Sequence, residues 1–496
     1  MKWTGVLICA RTPLANGRHH RPHAPDGRQA LLPETPRSAR ASLLPPEGEQ
    51  EALPDRASPG RTCPPDRTPD ERSCPAEASP PGDRALPPGD PPGADPPRRQ
   101  CDAADGAVSG FSSRTGFSRT WNALSQALAQ RQAQGLPWID LTVSNPARVG
   151  LSTLDPGLLA TPGALTYEPD PLGLRSAREA VVAYLASRGA AIHAEHLLLS
   201  ASTSEAYAWL FKLLCEPGDN VLVPAPSYPL FEHLARLEGV EVKPYRLPRA
   251  HGFGLDVGAV AAARDARSRA VLVVNPGNPT GHFLHEGELT ALAGLCAETG
   301  LALLSDEVFS DFAWAPEPDR VPTVAGRPLP MLTFSLSGLS KVAGLPSLKL
   351  GWTHVGGPPE RRDEALARLE WVADTFLSVG TPVQRALPAI LAQHVPRFQT
   401  ALLERVRENR RQLVSARPRG ASWDVVPAHG GWSAVLRIPL APGEEAMCLA
   451  LLDAGVGVQP GYFYDFAGGA FLVLSLLPPP EVFRTALGTL TAVLAG

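Results

Sequence analysis

The chain has 496 residues, of which 54 are proline, about twice the share usual in globular proteins. Its length allows roughly two to four domains; a hydrophobic content of 44% and a mean hydropathy of −0.07 describe a soluble protein, and no apolar run reaches the ~18 residues of a membrane span. A formal charge of −4 offers no cationic surface for nucleic acid, and seven scattered cysteines without a C-x-x-C pair indicate neither a disulfide framework nor a zinc site. Small-molecule chemistry in the cytoplasm is the class left standing.

Residues 1–107 hold about 20 of the prolines, mixed with Arg, Gly, Asp and Ala as in PPGDRALPPGDPPGADPPRRQ. Such a stretch buries too little apolar surface to offset its ordering entropy, so the reading is a disordered tail. It is either a proline-rich ligand for a partner or an extension without a role. After Met1 the next methionine is Met331, and regular patterning begins just past Val108, so a start at Val108 is a further expectation.

Residues 108–160 read as a segment serving an active-site loop and a small domain. From there to 395, short apolar runs alternate with amphipathic stretches. HLLLS (196–200), NVLVP (220–224), AVLVVN (270–275), LALLSD (301–306) and MLTFS (331–335) are the continuous apolar segments expected of parallel strands buried on both faces. Between them EAYAWLFKLLCE (205–216) and HEGELTALAGLCAETG (285–300) have helical periodicity, the second stopped by Gly300. The pattern is α/β: a large domain over 161–395 with a mostly parallel sheet flanked by helices, followed over 396–496 by a smaller α+β domain. No G-x-G-x-x-G follows a strand, which disfavours a dinucleotide fold.

Ligands of open α/β sheets lie beyond the carboxyl ends of the strands, and each run here ends in a polar cluster. ASTSEA (201–206) opens a helix whose N-terminus can hold a phosphate or simply be capped. PAPSYP (224–229) presents Tyr228 for stacking or for packing. NPGNPTG (275–281) is a tight turn that can aim the amide of Asn278. DEVF (306–309) ends a strand on Asp306, a carboxylate that needs a partner if buried. SLSGLSKVAG (335–344) places Lys341 among small residues. Jointly these suit a phosphorylated aromatic cation held through an amine, the chemistry of pyridoxal 5′-phosphate.

At these residues the chain resembles the fold-type-I, class I/II aminotransferases: SGLSK, the Asn-Pro-Thr-Gly turn and the Asp-Glu strand end occur in the family's order. The resemblance covers about residues 140–352. It implies that Lys341 joins the cofactor aldehyde and moves the substrate proton, and that Asp306 keeps the pyridine nitrogen protonated. It makes Asn278 the donor to the phenolic oxygen and Tyr228 the stacking ring. Thr203, Ser204, Ser337 and Lys349 become the phosphate cup, with Ser202 beside them. TYEPDPLG (166–173) resembles the segment whose tyrosine reaches the neighbouring subunit's phosphate, so Tyr167 implies a homodimer with shared active sites. LTVSNP (141–146) resembles the substrate-closing loop, which assigns Ser144 and Asn145 to substrate. The implied activity is ping-pong transfer of an amino group from an amino acid to a 2-oxo acid. β-Elimination or decarboxylation on the same cofactor, or a non-catalytic cofactor-binding regulator, are the alternatives.

Three residues depart from the family pattern. Lys349 stands for an arginine, a point charge in place of a planar fork. Phe309 stands for a tyrosine. Val473, in FLVLSLL (471–477), stands where the family's arginine grips the substrate carboxylate; Arg148, Tyr464 or backbone donors would have to substitute, or the substrate is not an ordinary α-amino acid.

Overall fold

The computed structural model describes residues 110–495, apart from Arg119 and Ser152. The proline-rich segment and the expectations about its order and start lie outside the described residues. A two-residue strand, β1 (Ile139–Asp140), precedes seven that form one sheet: β2 (Leu197–Ser200), β3 (Asn220–Ala225), β4 (Glu241–Arg246), β5 (Ser268–Val274), β6 (Ala302–Asp306), β7 (Thr333–Gly338) and β8 (Gly351–Gly356). Their order is β2-β8-β7-β6-β5-β3-β4. The contacts from β4 through β7 are all parallel.

The five expected strands run in one direction, but they do not form an unbroken parallel series. β8 is inserted between β7 and β2 and runs antiparallel to both. Its sequence, GWTHVG, lacks the continuous apolar run by which the other strands are recognised.

Alternation along the strands sorts the core into two faces. Val221, Val223, Leu272, Leu304, Phe334 and Leu336 pack with Trp209 and Leu210 of the Thr203–Leu214 helix. Leu222, Val271, Val273 and Leu303 pack on the other side with Leu289, Leu292 and Cys296 of the Glu286–Thr299 helix. That helix stops at Gly300, whose φ of 74° a residue without Cβ adopts without strain.

Beyond the Val395–Ala416 helix come β9 (Asp424–Val425), β10 (Ser433–Ile438), β11 (Val456–Gly457), β12 (Gln459–Pro460) and β13 (Ala470–Ser475). Four of these make an antiparallel sheet ordered β12-β13-β10-β9, while β11 pairs with β1. Leu141 and Val143 share a buried cluster with Leu436, Leu472, Leu474 and the helical residues Phe398 and Leu490, which ties the early segment to this sheet. The carboxyl ends of β2, β3, β5, β6 and β7 meet at one edge of the large sheet, where the polar clusters converge.

Candidate active site

Lys341 sits in a single helical turn, Leu339–Val342, directly after β7. Its Nζ lies 5.6 Å from the centre of the Phe309 ring and 5.2 Å from that of Trp432. This apolar housing strips water from the ammonium and lowers its pKa to about 8, while the charge of Asp306 pulls the other way. About a tenth of the amine is therefore neutral at pH 7 and about half at pH 8.

Asp306 ends β6 and is buried. The Tyr207 hydroxyl donates to its Oδ2 at 2.9 Å, and the Val308 N–H to its Oδ1 at 3.2 Å. Burial raises its pKa above the ordinary carboxylate value, and these donors and Lys341 oppose the rise. Burial and the adjacent carboxylate push the Tyr207 phenol far upward, so it remains a donor.

The next residue is also a buried carboxylate, but it points to the opposite face of the strand. Glu307 accepts from the hydroxyls of Ser305 (2.9 Å), Thr323 (2.5 Å) and Ser335 (2.7 Å) and from the Val324 N–H (2.8 Å). Its acceptor sites are filled by the protein. Asp306, with two donors and a lysine opposite, is the carboxylate left with capacity for a cationic ligand.

The Thr203–Leu214 helix begins beside this edge. Ser202 caps it by accepting the Glu205 N–H at 3.1 Å, which leaves the N–H groups of Thr203 and Ser204 available to an anion. Ser200 and Gly338 both pair with Gly351 of β8. A Cβ on Gly351 would lie 3.3 Å from the Thr203 nitrogen and 3.2 Å from the Ser337 carbonyl, so a residue without a side chain keeps this cradle open. Ser337 is buried, its Oγ 3.5 Å from the Glu307 carbonyl.

The structure thus brings Lys341, Asp306, Thr203, Ser204 and Ser337 to one strand edge. Asn278 lies three residues past Asn275, whose N–H donates to the Asp306 carbonyl at 2.8 Å and whose side chain bonds Val321 and Leu284, fixing the start of the turn. Tyr228 packs with Phe253, Tyr464, Phe471 and Val473, and burial raises its pKa. Val473 is fully enclosed in that cluster and registers opposite Val435.

Other expected residues are open to solvent or engaged in local caps. Lys349 is exposed, with a left-handed φ of 52°. Tyr167 is 72% exposed. Ser144 is exposed, and the Asn145 side chain caps a short helical turn by accepting the Ala147 N–H at 3.1 Å. Two functional residues escaped the sequence reading, Tyr207 and Trp432. Tyr207 lies one helical turn past Thr203, a spacing that would have placed it on the site side of its helix. Trp432 follows paired glycines, and a Cβ on Gly430 would strike Phe283 and the Phe312 carbonyl, a signature of close packing.

Fold and site together define an α/β enzyme of the fold-type-I architecture, built around a partly buried lysine and a buried aspartate. Residues 142–489 match the family model described as aminotransferase class I and II, and the chain belongs to that family. It is 27% identical over 252 residues to nicotianamine aminotransferase 1 of Oryza sativa subsp. japonica, covering 50% of this chain and 50% of that protein. Alanine aminotransferase of Mycobacterium bovis is 28% identical over 274 residues, covering 54% and 63%. The chain therefore spans about half to two thirds of the length of these curated relatives. Among solved structures, a single mutant of Thermus thermophilus aspartate aminotransferase aligns with a TM-score of 0.67 and 26% identity, covering 78% of this chain and 100% of that one. The family depends on pyridoxal 5′-phosphate, and the unfilled Asp306, the open cradle at Gly351 and the free N–H groups of Thr203 and Ser204 fit that group. No helix among the described residues is long and apolar enough to cross a membrane.

Proposed function

We propose that this chain is an aminotransferase that moves an amino group from an amino acid to a 2-oxo acid in two half-reactions. The observation that carries the reading is Lys341, partly buried against Phe309 and Trp432 with its pKa brought down to about 8 and Asp306 as its buried counter-charge. Thr203, Ser204, Ser337 and Lys349 would hold the cofactor phosphate, Asp306 the pyridine nitrogen, Asn278 the phenolic oxygen and Tyr228 the ring. When bound, pyridoxal phosphate supplies an electron sink that makes the substrate α-proton removable. Lys341, displaced by substrate, is the base that takes this proton at Nζ and returns it. Phe309 and Trp432 exclude water from that nitrogen, which keeps it poised to act near neutral pH. The Tyr207 hydrogen bond opposes the upward pull of burial on Asp306 and so favours its ionised form.

The relatives' names specify different amino compounds, so the donor is open. Val473, enclosed by Tyr464 and Phe471, offers no charge to a substrate carboxylate, which leaves that contact to Ser144, Asn145 or another polar group. Exposed Leu165 (95%) and Tyr167 support a homodimer in which Tyr167 reaches the other subunit's phosphate site. The free thiols Cys215, Cys296 and Cys448 support a reducing, cytoplasmic setting. The division into a large domain over 161–395 and a small one over 396–496, with 108–160 serving the latter, belongs to the same proposal. The test is absorbance of the loaded enzyme against a panel of amino acids and amines. Conversion to the amine form of the cofactor by at least one donor, and re-conversion by an oxo acid, is expected; release of ammonia or carbon dioxide without conversion would overturn the assignment.

A further inference from the structure

On the outer side of the turn that carries Asn278, three imidazoles and two carboxylates converge. His285 Nε2 lies 2.9 Å from Glu317 Oε1, and His429 Nδ1 lies 2.9 Å from the same oxygen. The donor atoms of these three residues are all within 4.8 Å of one another, as are those of His282, His285 and Glu288. His282 Nε2 is 3.2 Å from Glu288, and its ring centre is 4.9 Å from that of His285.

We propose that His285, Glu317 and His429 form a binding site for a divalent transition-metal ion of the zinc type, with water in the fourth position. Imidazole nitrogen and carboxylate oxygen are the donors such ions take, at bonds of about 2.0–2.2 Å, which set the edges of a tetrahedron at about 3.3 Å. The two edges to Glu317, 2.9 Å each, need to open by a few tenths of an ångström, and the edge between the imidazole nitrogens is at most 4.8 Å. The His429 side chain is 46% exposed and gives an entry path.

The three ligands come from three segments that also line the lysine's pocket. His285 follows the turn bearing Asn278, Glu317 follows the stretch bearing Phe309, and His429 precedes Trp432. Backbone bonds already tie them, from the His429 N–H to the Gly281 carbonyl at 3.0 Å and from the Trp314 N–H to the His429 carbonyl at 2.8 Å. An ion here braces those walls from behind, without touching the reacting atoms.

The experiment uses the full, untagged, cofactor-loaded chain after dialysis against a chelator. Because the sequence also holds His19, His20 and His23, the background carries H19A, H20A and H23A. Titration with Co2+ is expected to give the visible band of a four-coordinate ion, saturating at one ion per chain, displaced by Zn2+, and accompanied by a rise in melting temperature. His429→Ala, a half-exposed position outside any helix, and Glu317→Gln should each weaken binding at least about tenfold, whereas His196→Ala, in the separate His193, His196 and His354 group, should leave it unchanged. Absence of the band in this background, or a band that persists at full strength in a folded His429→Ala protein, would overturn the proposal.

Discussion

Lys341→Met, studied in cofactor-free protein, isolates the physical claim on which the proposed chemistry rests. Methionine keeps much of the lysine's length and apolar volume but carries no charge to desolvate. In the wild type the lysine pKa falls from the ordinary 10.5 to about 8 in the fold. At about 1.4 kcal/mol per pH unit, that difference amounts to about 3 kcal/mol. The sign follows from proton binding. Below pH 8 the amine is charged in both folded and unfolded chains, so the fold bears the full cost of burying it. Between 8 and 10.5 the folded lysine is neutral while the unfolded one is still charged, and stability rises with pH. Above 10.5 both are neutral and the cost is gone. The variant should therefore gain on the wild type at pH 7, and that gain should shrink by about 3 kcal/mol as the pH passes from 8 to 10.5. Removing the lysine also orphans Asp306, which adds an offset that stays constant while that carboxylate remains ionised across the window. Denaturant midpoints of both proteins, at one protein concentration so that association cancels, give the difference directly. A gap that stays flat over this pH range would refute the claim that burial has shifted the amine.

Three further changes probe the same site. Tyr207→Phe removes a hydrogen bond to an ionised carboxylate while keeping the ring against Phe211 and Phe231, so cofactor affinity should fall by roughly ten- to a hundredfold in a titration of the cofactor-free protein. Glu307→Ala leaves three hydroxyls and the Val324 N–H without their acceptor and should cost at least about 3 kcal/mol of stability; a melting temperature within error of wild type would contradict the network. Val473→Arg buries an unpaired guanidinium among Phe463, Tyr464 and Phe471, at a cost of about 3–5 kcal/mol. It should not raise kcat/KM on the native donor, and a large gain would show that the valine does not mark an altered pocket.

The strands whose ends build the site are the ones sequence reveals best, because burial on both faces demands an unbroken apolar run, as in LLLS and ALLSD. β8 escapes that rule with Thr353 and His354 inside it, and β4 escapes it as an edge strand with Glu241, Pro244 and Arg246 exposed. Lys341, Asp306 and Thr203 stand out for a related reason: a polar residue closing an apolar run needs an explanation that a surface polar residue does not. Tyr207 carries no such mark, since inside EAYAWLFKLL an aromatic reads as one more core residue. His285, Glu317 and His429 are spread over more than 140 positions, and only the folding of three loops against one another brings them within reach.

The paired carboxylates show where pattern stops and three-dimensional bookkeeping begins. Asp306 and Glu307 are adjacent, both buried, and both raised in pKa by desolvation. Composition and spacing treat them alike. Strand alternation sends Glu307 to the face of Ser305 and Ser335, where hydroxyls and an amide occupy it, and Asp306 to the face of Tyr207 and Lys341, where it retains room for a ligand. A one-residue slip of β6 against β7 would turn Glu307 towards the lysine and away from Thr323, Val324 and Ser335, none of which is on β6. The register Ser305 to Ser335 and Asp306 to Leu336 is therefore as much a determinant of the chemistry as the identity of the acid.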